Sequence, residues 1–177
     1  MFCEYRGVMS PQIRKILFAM DLSKNSAYAF GYALELARNR KADIVLLHAI
    51  EPIPAIARFH GTREGEMKYY NKTTEEWIQG IGAAVRTYCD RTTEKLGEPC
   101  AKTIQKILCA VGHPTEEILR AAEEEDCDLI LMGSHAKGFL RHTFLGSVSR
   151  AVLDRSYKPV LIVPLPSDEV GAGWDRG

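Results

Sequence analysis

Short apolar runs alternate with segments of helical periodicity along most of this chain, and that alternation limits the possible folds more than any other feature. The run KILFAMD at 15–21 is almost continuously apolar, and so is ADIVLLHAI at 42–50. Three later runs repeat the pattern: TIQKILCAV at 103–111, CDLILMGS at 127–134 and KPVLIVP at 158–164. Nearly unbroken apolar runs of this length are typical of strands buried on both faces. The sequence therefore predicts five strands, of which the first two are buried on both faces.

Helices are predicted between these strands. Ser23 or Asn25 caps a helix over 26–40, in which apolar residues recur at spacings of three and four. Thr73 to Glu76 forms a capping box for a long middle helix that runs to about Leu96. Two more helices are expected, one over 114–126 and one opening at Gly146 and Ser147. Strands that alternate with helices at this spacing predict an α/β fold, a single parallel sheet with helices on both faces.

Composition excludes several classes of function. The 177 residues are 46% hydrophobic and 26% charged, and 23 basic residues balance 23 acidic ones, so no global field favours nucleic acid or a membrane surface. An apolar run of 18 residues is absent, and the N-terminus lacks the basic-then-apolar design of a signal peptide. Five scattered cysteines form no C-x-x-C pair, which favours free thiols, Cys109 and Cys127 among them, in a reducing cytoplasm.

The predicted domain spans residues 13–165, between flexible tails at 1–12 and 166–177. One connection, 51–72, is longer than most in such folds and holds two prolines, two glycines and mixed charge. A lid, a dimer contact and a surface elaboration are all consistent with this variable insert.

The carboxyl ends of parallel strands are where such folds bind ligands. Three strand ends lie there, Ala19-Met20-Asp21, His48-Ala49 and Met132 to His135, together with the loop Val111 to Pro114. Asp21 is equally consistent with a ligand or cation contact and with accepting backbone N–H groups in the following turn. His48 fits a satisfied core histidine better than a ligand contact. Gly112 fits a turn with positive φ, and Pro114 fits the first position of a helix.

The loop LMGSHAKGFLRHTFLGSVSRAVL at 131–153 admits two interpretations. Gly146 and Ser147 would offer free N–H groups, the positive end of the helix dipole and a hydroxyl to an anion. Alternatively, the loop only joins a strand to its covering helix, and a glycine loop alone does not decide between them.

Several motifs together, KILFAMDLS, LLHAI, VGHPTEEIL, DLILMGSHAKGFLRHTFLGSVSRAVL and KPVLIVP, resemble the universal stress protein family from about Ile13 to Pro164. The resemblance implies a Rossmann-like, adenine nucleotide alpha hydrolase-like fold with strand order 3-2-1-4-5. It also implies a homodimer through the last strand, Val160 to Val163. The ATP-binding branch of that family carries G-x2-G-x9-G-[ST], which this chain matches at Gly133, Gly146 and Ser147 but not at Ala136.

The resemblance further implies a site for ATP or another adenine nucleotide, with or without Mg²⁺. Asp21 and Ala49 would hold the adenine end, Gly112 would lie near the ligand, and Met132 with Gly133 would contact the ribose. Gly133 and seven residues of the loop and last helix would surround the phosphates: His135, Lys137, Gly146, Ser147, Ser149 and, by position, Ala136 and Val148. Ala19 and Met20 complete the set. Asp21 is the one candidate for a metal contact.

Ala136 leaves two branches of the family open. If its backbone must adopt left-handed torsions, alanine costs roughly 1–2 kcal/mol relative to glycine. A loss of about 1.4 kcal/mol makes binding tenfold weaker without abolishing a micromolar site. The favoured hypothesis is a stress-response protein that binds an adenine nucleotide as a regulatory ligand.

A dimeric signalling module that binds no nucleotide is the alternative from the same family. An enzyme, at most a slow ATPase, is a third hypothesis. The chain lacks a Walker lysine-serine pair and shows no paired carboxylates and no nucleophile–base arrangement.

Overall fold

A computed structural model describes residues 12–51, 73–96, 100–134 and 145–164 of the chain. Apart from Gln12 and Glu51, the predicted tails and the 51–72 insert lie outside these ranges, so the expectations for them stay predictions. Of the predicted site residues, His135, Ala136 and Lys137 also lie outside the described residues.

Strands and helices alternate as the apolar pattern predicts. The strands are β1 (Lys15–Met20), β2 (Asp43–Ile50), β3 (Ile104–Val111), β4 (Leu129–Gly133) and β5 (Val160–Val163). The helices are α1 (Lys24–Arg40), α2 (Thr74–Leu96), α3 (Pro114–Glu124) and α4 (Ser147–Arg155), and a 3₁₀ turn, Cys100–Thr103, leads into β3. Each element agrees with its predicted range to within two residues, except the 3₁₀ turn, which the sequence pattern did not indicate.

The five strands form one parallel sheet in the order β3-β2-β1-β4-β5, as expected. Strand β1 is central and pairs with β2 from Lys15 opposite Asp43 to Met20 opposite His48. On its other side it pairs with β4, where Ala19 lies opposite Met132. The chain adds β2 and β3 on one side of β1 and then β4 and β5 on the other side. The switch point of the strand order therefore lies between β1 and β4.

Helices cover both faces of the sheet, which explains why the strands read as continuous apolar runs. On one face Phe18 and Leu46 pack with α1 and α2, and the Phe18 ring lies 5.2 Å from that of Phe30. On the other face Leu17 and Leu47 pack with α3 and α4. Alternate residues of each strand therefore belong to different cores. None of the described helices is both long and apolar enough to span a membrane.

Local capping sets the ends of the helices that flank the site. Ser23, rather than Asn25, caps α1, because its side chain accepts a hydrogen bond from the Ser26 backbone N–H at 3.2 Å. Helix α1 ends where Lys41 adopts left-handed torsions, φ 55° and ψ 44°. The predicted capping box of α2 is confirmed, since Glu76 Oε2 accepts the Thr73 backbone N–H at 2.6 Å and Thr73 Oγ1 accepts the Glu76 backbone N–H at 3.2 Å.

Candidate functional site

A pocket opens at the carboxyl ends of β1 and β4, at the switch point of the sheet. Its volume within the described residues is about 170 Å³. Its lining is mainly apolar, and Asp21 is the sole ionisable group among the described residues that line it. The lining comprises Ala19, Met20, Asp21, Ser26, Leu47, Ala49, Pro114, Ile118, Met132, Gly133, Val148 and Ser149. A mainly apolar pocket with a few polar groups is the usual form of a small-molecule site.

Most of the predicted site residues that the structure describes meet in this pocket. Those that line it are Ala19, Met20, Asp21, Ala49, Met132, Gly133, Val148 and Ser149. Gly112, Gly146 and Ser147 do not line it.

Sequence reasoning missed Ser26, Leu47 and Ile118 as lining residues, and it placed Pro114 at this edge of the sheet without including it among the site residues. Two simple periodicities would have found two of them. Leu47 lies two residues before Ala49 on the same face of β2, and Ile118 lies one helical turn after Pro114.

The Asp21 carboxylate is held by the turn that leads into α1. Its Oδ1 accepts the Ser23 backbone N–H at 2.9 Å and the Ser26 hydroxyl. The turn-stabilising interpretation of Asp21 is therefore confirmed, but Asp21 also faces the pocket. Between Asp21 and Ser23, Leu22 has φ 59°, a left-handed torsion uncommon for such a residue.

His48 is a core histidine, as expected. Its side chain is buried, and its Nδ1–H donates to the Met20 carbonyl oxygen at 3.0 Å. Burial lowers the pKa of His48, against smaller opposing effects of that hydrogen bond and of the Asp21 charge. The imidazole lies beside the Trp77 ring, with centroids 5.1 Å apart, and it does not line the pocket. It supports the end of β1 from the other face of the sheet.

The first turn of α4 lies against the end of β4. The Ser149 hydroxyl donates to the Gly133 carbonyl at 3.0 Å and, more weakly, to the Ser134 carbonyl at 3.3 Å. The Gly146 N–H donates to the Ser134 carbonyl at 2.8 Å. The Ser149 hydroxyl and the Gly146 N–H are thus already used within the protein, contrary to the expectation that both address phosphates.

The backbone N–H groups of Ser147, Val148 and Ser149 remain available at this helix end. No hydrogen bond to them is found among the described residues, and α4 has no side-chain cap. Unpaired N–H groups and the positive end of the helix dipole together favour an anion.

Gly112 does not have the predicted backbone conformation. Its φ is not in the left-handed region, so the interpretation that this glycine supplies a positive φ is wrong. A Cβ at this position would collide with Glu117 Oε1, because the Glu117 side chain folds back over the glycine. Its N–H donates to the Ile50 carbonyl at 3.0 Å and extends the pairing of β2 with β3. Pro114 does occupy the first turn of α3, as predicted.

The described cysteines behave as small hydrophobic residues. Cys109 and Cys127 are free, and burial raises the pKa of both, that of Cys127 to about 11. Both therefore remain thiols near neutral pH. Within the described part of the chain, no group of three His, Cys, Asp or Glu side chains is placed to hold a metal ion.

The strand order and a pocket at the switch point define a doubly wound α/β protein of the Rossmann-like type. Sequence comparison makes the assignment more specific, because the Universal stress protein family matches residues 12–164. This chain belongs to that family. It is 30% identical over 157 residues to universal stress protein MJ0577 of Methanocaldococcus jannaschii, covering 88% of this chain and 97% of that protein. It is 32% identical over 151 residues to YxiE of Bacillus subtilis, with 84% and 97% covered.

Solved structures of the family share the fold. The MJ0577 structure has a TM-score of 0.58 at 28% identity and covers 89% of this chain and 99% of that one. UspA from Lactobacillus plantarum has a TM-score of 0.61 at 17% identity, covering 87% and 99%. A universal stress protein in complex with cAMP has a TM-score of 0.54 at 20% identity, covering 86% and 98%. The last two are similar at the level of the fold alone.

Proposed function

We propose that this universal stress protein binds ATP or a related adenine nucleotide as a regulatory ligand in the switch-point pocket. The observation that carries the proposal is that the unpaired N–H groups of α4 lie beside a mainly apolar pocket whose described lining includes one carboxylate, that of Asp21. An adenine nucleotide is a flat, largely apolar ring joined to an anion, so it needs both features in one place.

Each part of the ligand has a matching part of the pocket. Asp21 and Ala49 would hold the nucleoside end, and Met132 with Gly133 would lie against the ribose. The small side chains of Ala19 and Ala49 leave room for a ring at the ends of β1 and β2.

The phosphates would lie toward the N-terminus of α4, at the N–H groups of Ser147, Val148 and Ser149. His135 and Lys137 would add donors from the glycine loop. Asp21 is the sole carboxylate in the described lining, so Mg²⁺ would be held mainly by phosphate oxygens and water.

The regulatory role is proposed because the described lining of the pocket offers few groups that could catalyse a reaction of the nucleotide. Within its described lining there is no second carboxylate and no histidine, and the hydroxyls of Ser26 and Ser149 both donate to oxygens of the protein, Asp21 Oδ1 and the Gly133 carbonyl. The nucleotide would therefore act as a ligand rather than as a substrate that turns over quickly. A role in the stress response, a cytoplasmic setting and a homodimer through Val160 to Val163 belong to the same proposal. The adenine nucleotide class is consistent with the cAMP complex of a protein of the same fold.

Ala136 supports a second candidate, a family module that signals without a nucleotide. It replaces the second glycine of the phosphate motif, and a methyl group in the path of the phosphates would weaken or prevent binding.

One experiment separates the two candidates. The natively purified protein is denatured and the released small molecules are identified by mass spectrometry. Isothermal titrations of ATP, ADP, AMP, cAMP and adenosine follow, with and without Mg²⁺. Recovery of an adenine nucleotide, or titrated binding that strengthens with added phosphates, supports the proposal.

Ala136→Gly is the matched variant, and it should tighten ATP binding up to about tenfold, the equivalent of about 1.4 kcal/mol. Binding by the variant but not by the natural chain would favour the second candidate. Absence of binding by both would overturn nucleotide binding altogether.

A further inference from the structure

The two oxygens of the Asp21 carboxylate have different surroundings. Oδ1 accepts two hydrogen bonds, from the Ser23 backbone N–H at 2.9 Å and from the Ser26 hydroxyl. Oδ2 makes no hydrogen bond within the described residues, although Asp21 lines the pocket. One carboxylate oxygen is therefore committed to the protein, and the other is left for a ligand.

Ser26 holds both the backbone and the side chain of Asp21. Its Oγ accepts the Asp21 backbone N–H at 3.0 Å and donates its proton to Asp21 Oδ1. Ser26 is itself fixed, because it lies in the first turn of α1, is only 6% exposed and has its own N–H bonded to Ser23 Oγ. A carboxylate held in this way loses little conformational entropy when a ligand arrives.

The hydroxyl proton of Ser26 also determines which hydrogen bond the pocket can make. Because that proton is directed to Oδ1, the lining presents Oδ2 as an acceptor. An ionised carboxylate has no donor of its own. A ligand group at this position must therefore be a donor, such as an amino group or a hydroxyl, and a carbonyl oxygen there would be repelled.

We propose that Ser26 is a positioning residue for ligand binding: it orients Asp21 so that Oδ2 accepts a hydrogen bond from the nucleoside end of the ligand. The inference rests on the proposed function. Ser26 lines the pocket, although it was not among the site residues predicted from the sequence.

Binding of defined probes to the natural chain and four variants tests the inference. AMP and adenosine are titrated against the natural chain and against Ser26→Ala, Ser26→Thr, Asp21→Ala and the double variant. Ser26→Ala should weaken AMP and adenosine by the same factor, about tenfold, because it acts at the end of the ligand that they share. Ser26→Thr, which keeps the hydroxyl, should restore affinity to within about threefold. In the Asp21→Ala background, Ser26→Ala should have no further effect.

Thr73→Ala is the matched control. It removes the capping hydroxyl of another helix, α2, and Thr73 neither lines the pocket nor bonds to Asp21 or Ser26. It should lower thermal stability and leave AMP affinity within about threefold. If Ser26→Ala does not fold, Ser26→Cys takes its place, because a thiol is a weaker donor and acceptor than a hydroxyl, and it should weaken AMP and adenosine by the same factor.

Two further probes distinguish the donors on the ligand. IMP replaces the amino group of AMP by a carbonyl oxygen, and 2′-deoxy-AMP removes a ribose hydroxyl. One of these probes should bind the natural chain more weakly than AMP does but bind Ser26→Ala as well as AMP does. That probe identifies the ligand group that contacts Oδ2.

Equal AMP affinity in Ser26→Ala and the natural chain, or additive effects of the two alanine substitutions, would overturn the role of Ser26 while leaving nucleotide binding intact. Failure of the natural chain to bind any probe would instead overturn the proposed function and this inference with it.

Discussion

The His48 imidazole donates a hydrogen bond to the Met20 carbonyl at 3.0 Å, across the paired ends of β2 and β1. Met20 immediately precedes Asp21, so this bond fixes the point at which the chain leaves the sheet and enters the pocket. The carbonyl accepts but cannot donate, and the proton therefore lies on Nδ1. A residue buried between the sheet and α2 thus supports the strand end at which the pocket opens.

The lowered pKa of His48 predicts a loss of stability in mild acid. Burial disfavours the imidazolium, so the unfolded chain binds a proton at a higher pH than the folded one does. The contribution of His48 to stability is present above its unfolded pKa of about 6.5 and is lost as the pH falls from there toward the folded pKa. His48→Asn can keep a donor near the Met20 carbonyl but does not titrate. Urea unfolding between pH 7.5 and 5 should show a shallower decline for this variant, and equal slopes would contradict the prediction.

Thr115 is predicted to tolerate, and even favour, loss of its hydroxyl. Its Oγ1 is buried at the start of α3 and has no hydrogen-bond partner among the described residues. A buried hydroxyl without a partner is costly, so an apolar replacement of the same shape removes that cost. Thr115→Val should raise the free energy of unfolding by about 1 kcal/mol in urea titrations. Thr115→Ser, which keeps the hydroxyl and loses a methyl group, should lower it, and the reverse order would show that the hydroxyl is satisfied.

Ser149 is predicted to affect the phosphate end of the ligand selectively. Its hydroxyl joins the first turn of α4 to the Gly133 carbonyl, so its removal loosens the helix end on which the free N–H groups lie. Ser149→Ala should weaken ATP binding by about tenfold, the equivalent of about 1.4 kcal/mol, and adenosine binding by much less. Ser149→Thr can keep the hydrogen bond and serves as the control. An equal loss for both ligands would mean that Ser149 acts through general stability alone.

The proposed dimer predicts a specific response at β5. This strand lies at one edge of the sheet, and Leu161 on it is 39% exposed, close in sequence to the exposed Leu153 and Tyr157. Leu161→Glu should convert a dimer into a monomer in sedimentation experiments, because it places a charge in the proposed contact. Val111→Glu makes the same kind of change on β3, at the opposite edge, where Val111 is 61% exposed, and it should leave the dimer intact. A natural chain that sediments as a monomer would refute the proposed contact.

The apolar pattern by itself determined the elements of this protein. Runs such as KILFAM and DIVLLHAI are buried on both faces and cannot be satisfied except in the middle of a parallel sheet. The capping box at Thr73 and the position of Pro114 in α3 could also be predicted from the sequence, because both depend only on neighbours within a few residues. The motifs likewise placed Asp21 and Gly133 at strand ends, where the pocket lies.

Only the tertiary structure decided which atoms remain free for a ligand. The sequence offers Gly146 and Ser149 as phosphate contacts, but the first has its N–H and the second its hydroxyl bonded to the end of β4. Ser26 could not be singled out, because its importance depends on a side chain five residues away that folds back onto it. Hydrogen-bond partners depend on the distances and directions between chain segments, and the apolar periodicity of the sequence does not give these. The sequence therefore determines where the site is, and packing determines what each of its polar groups can still do.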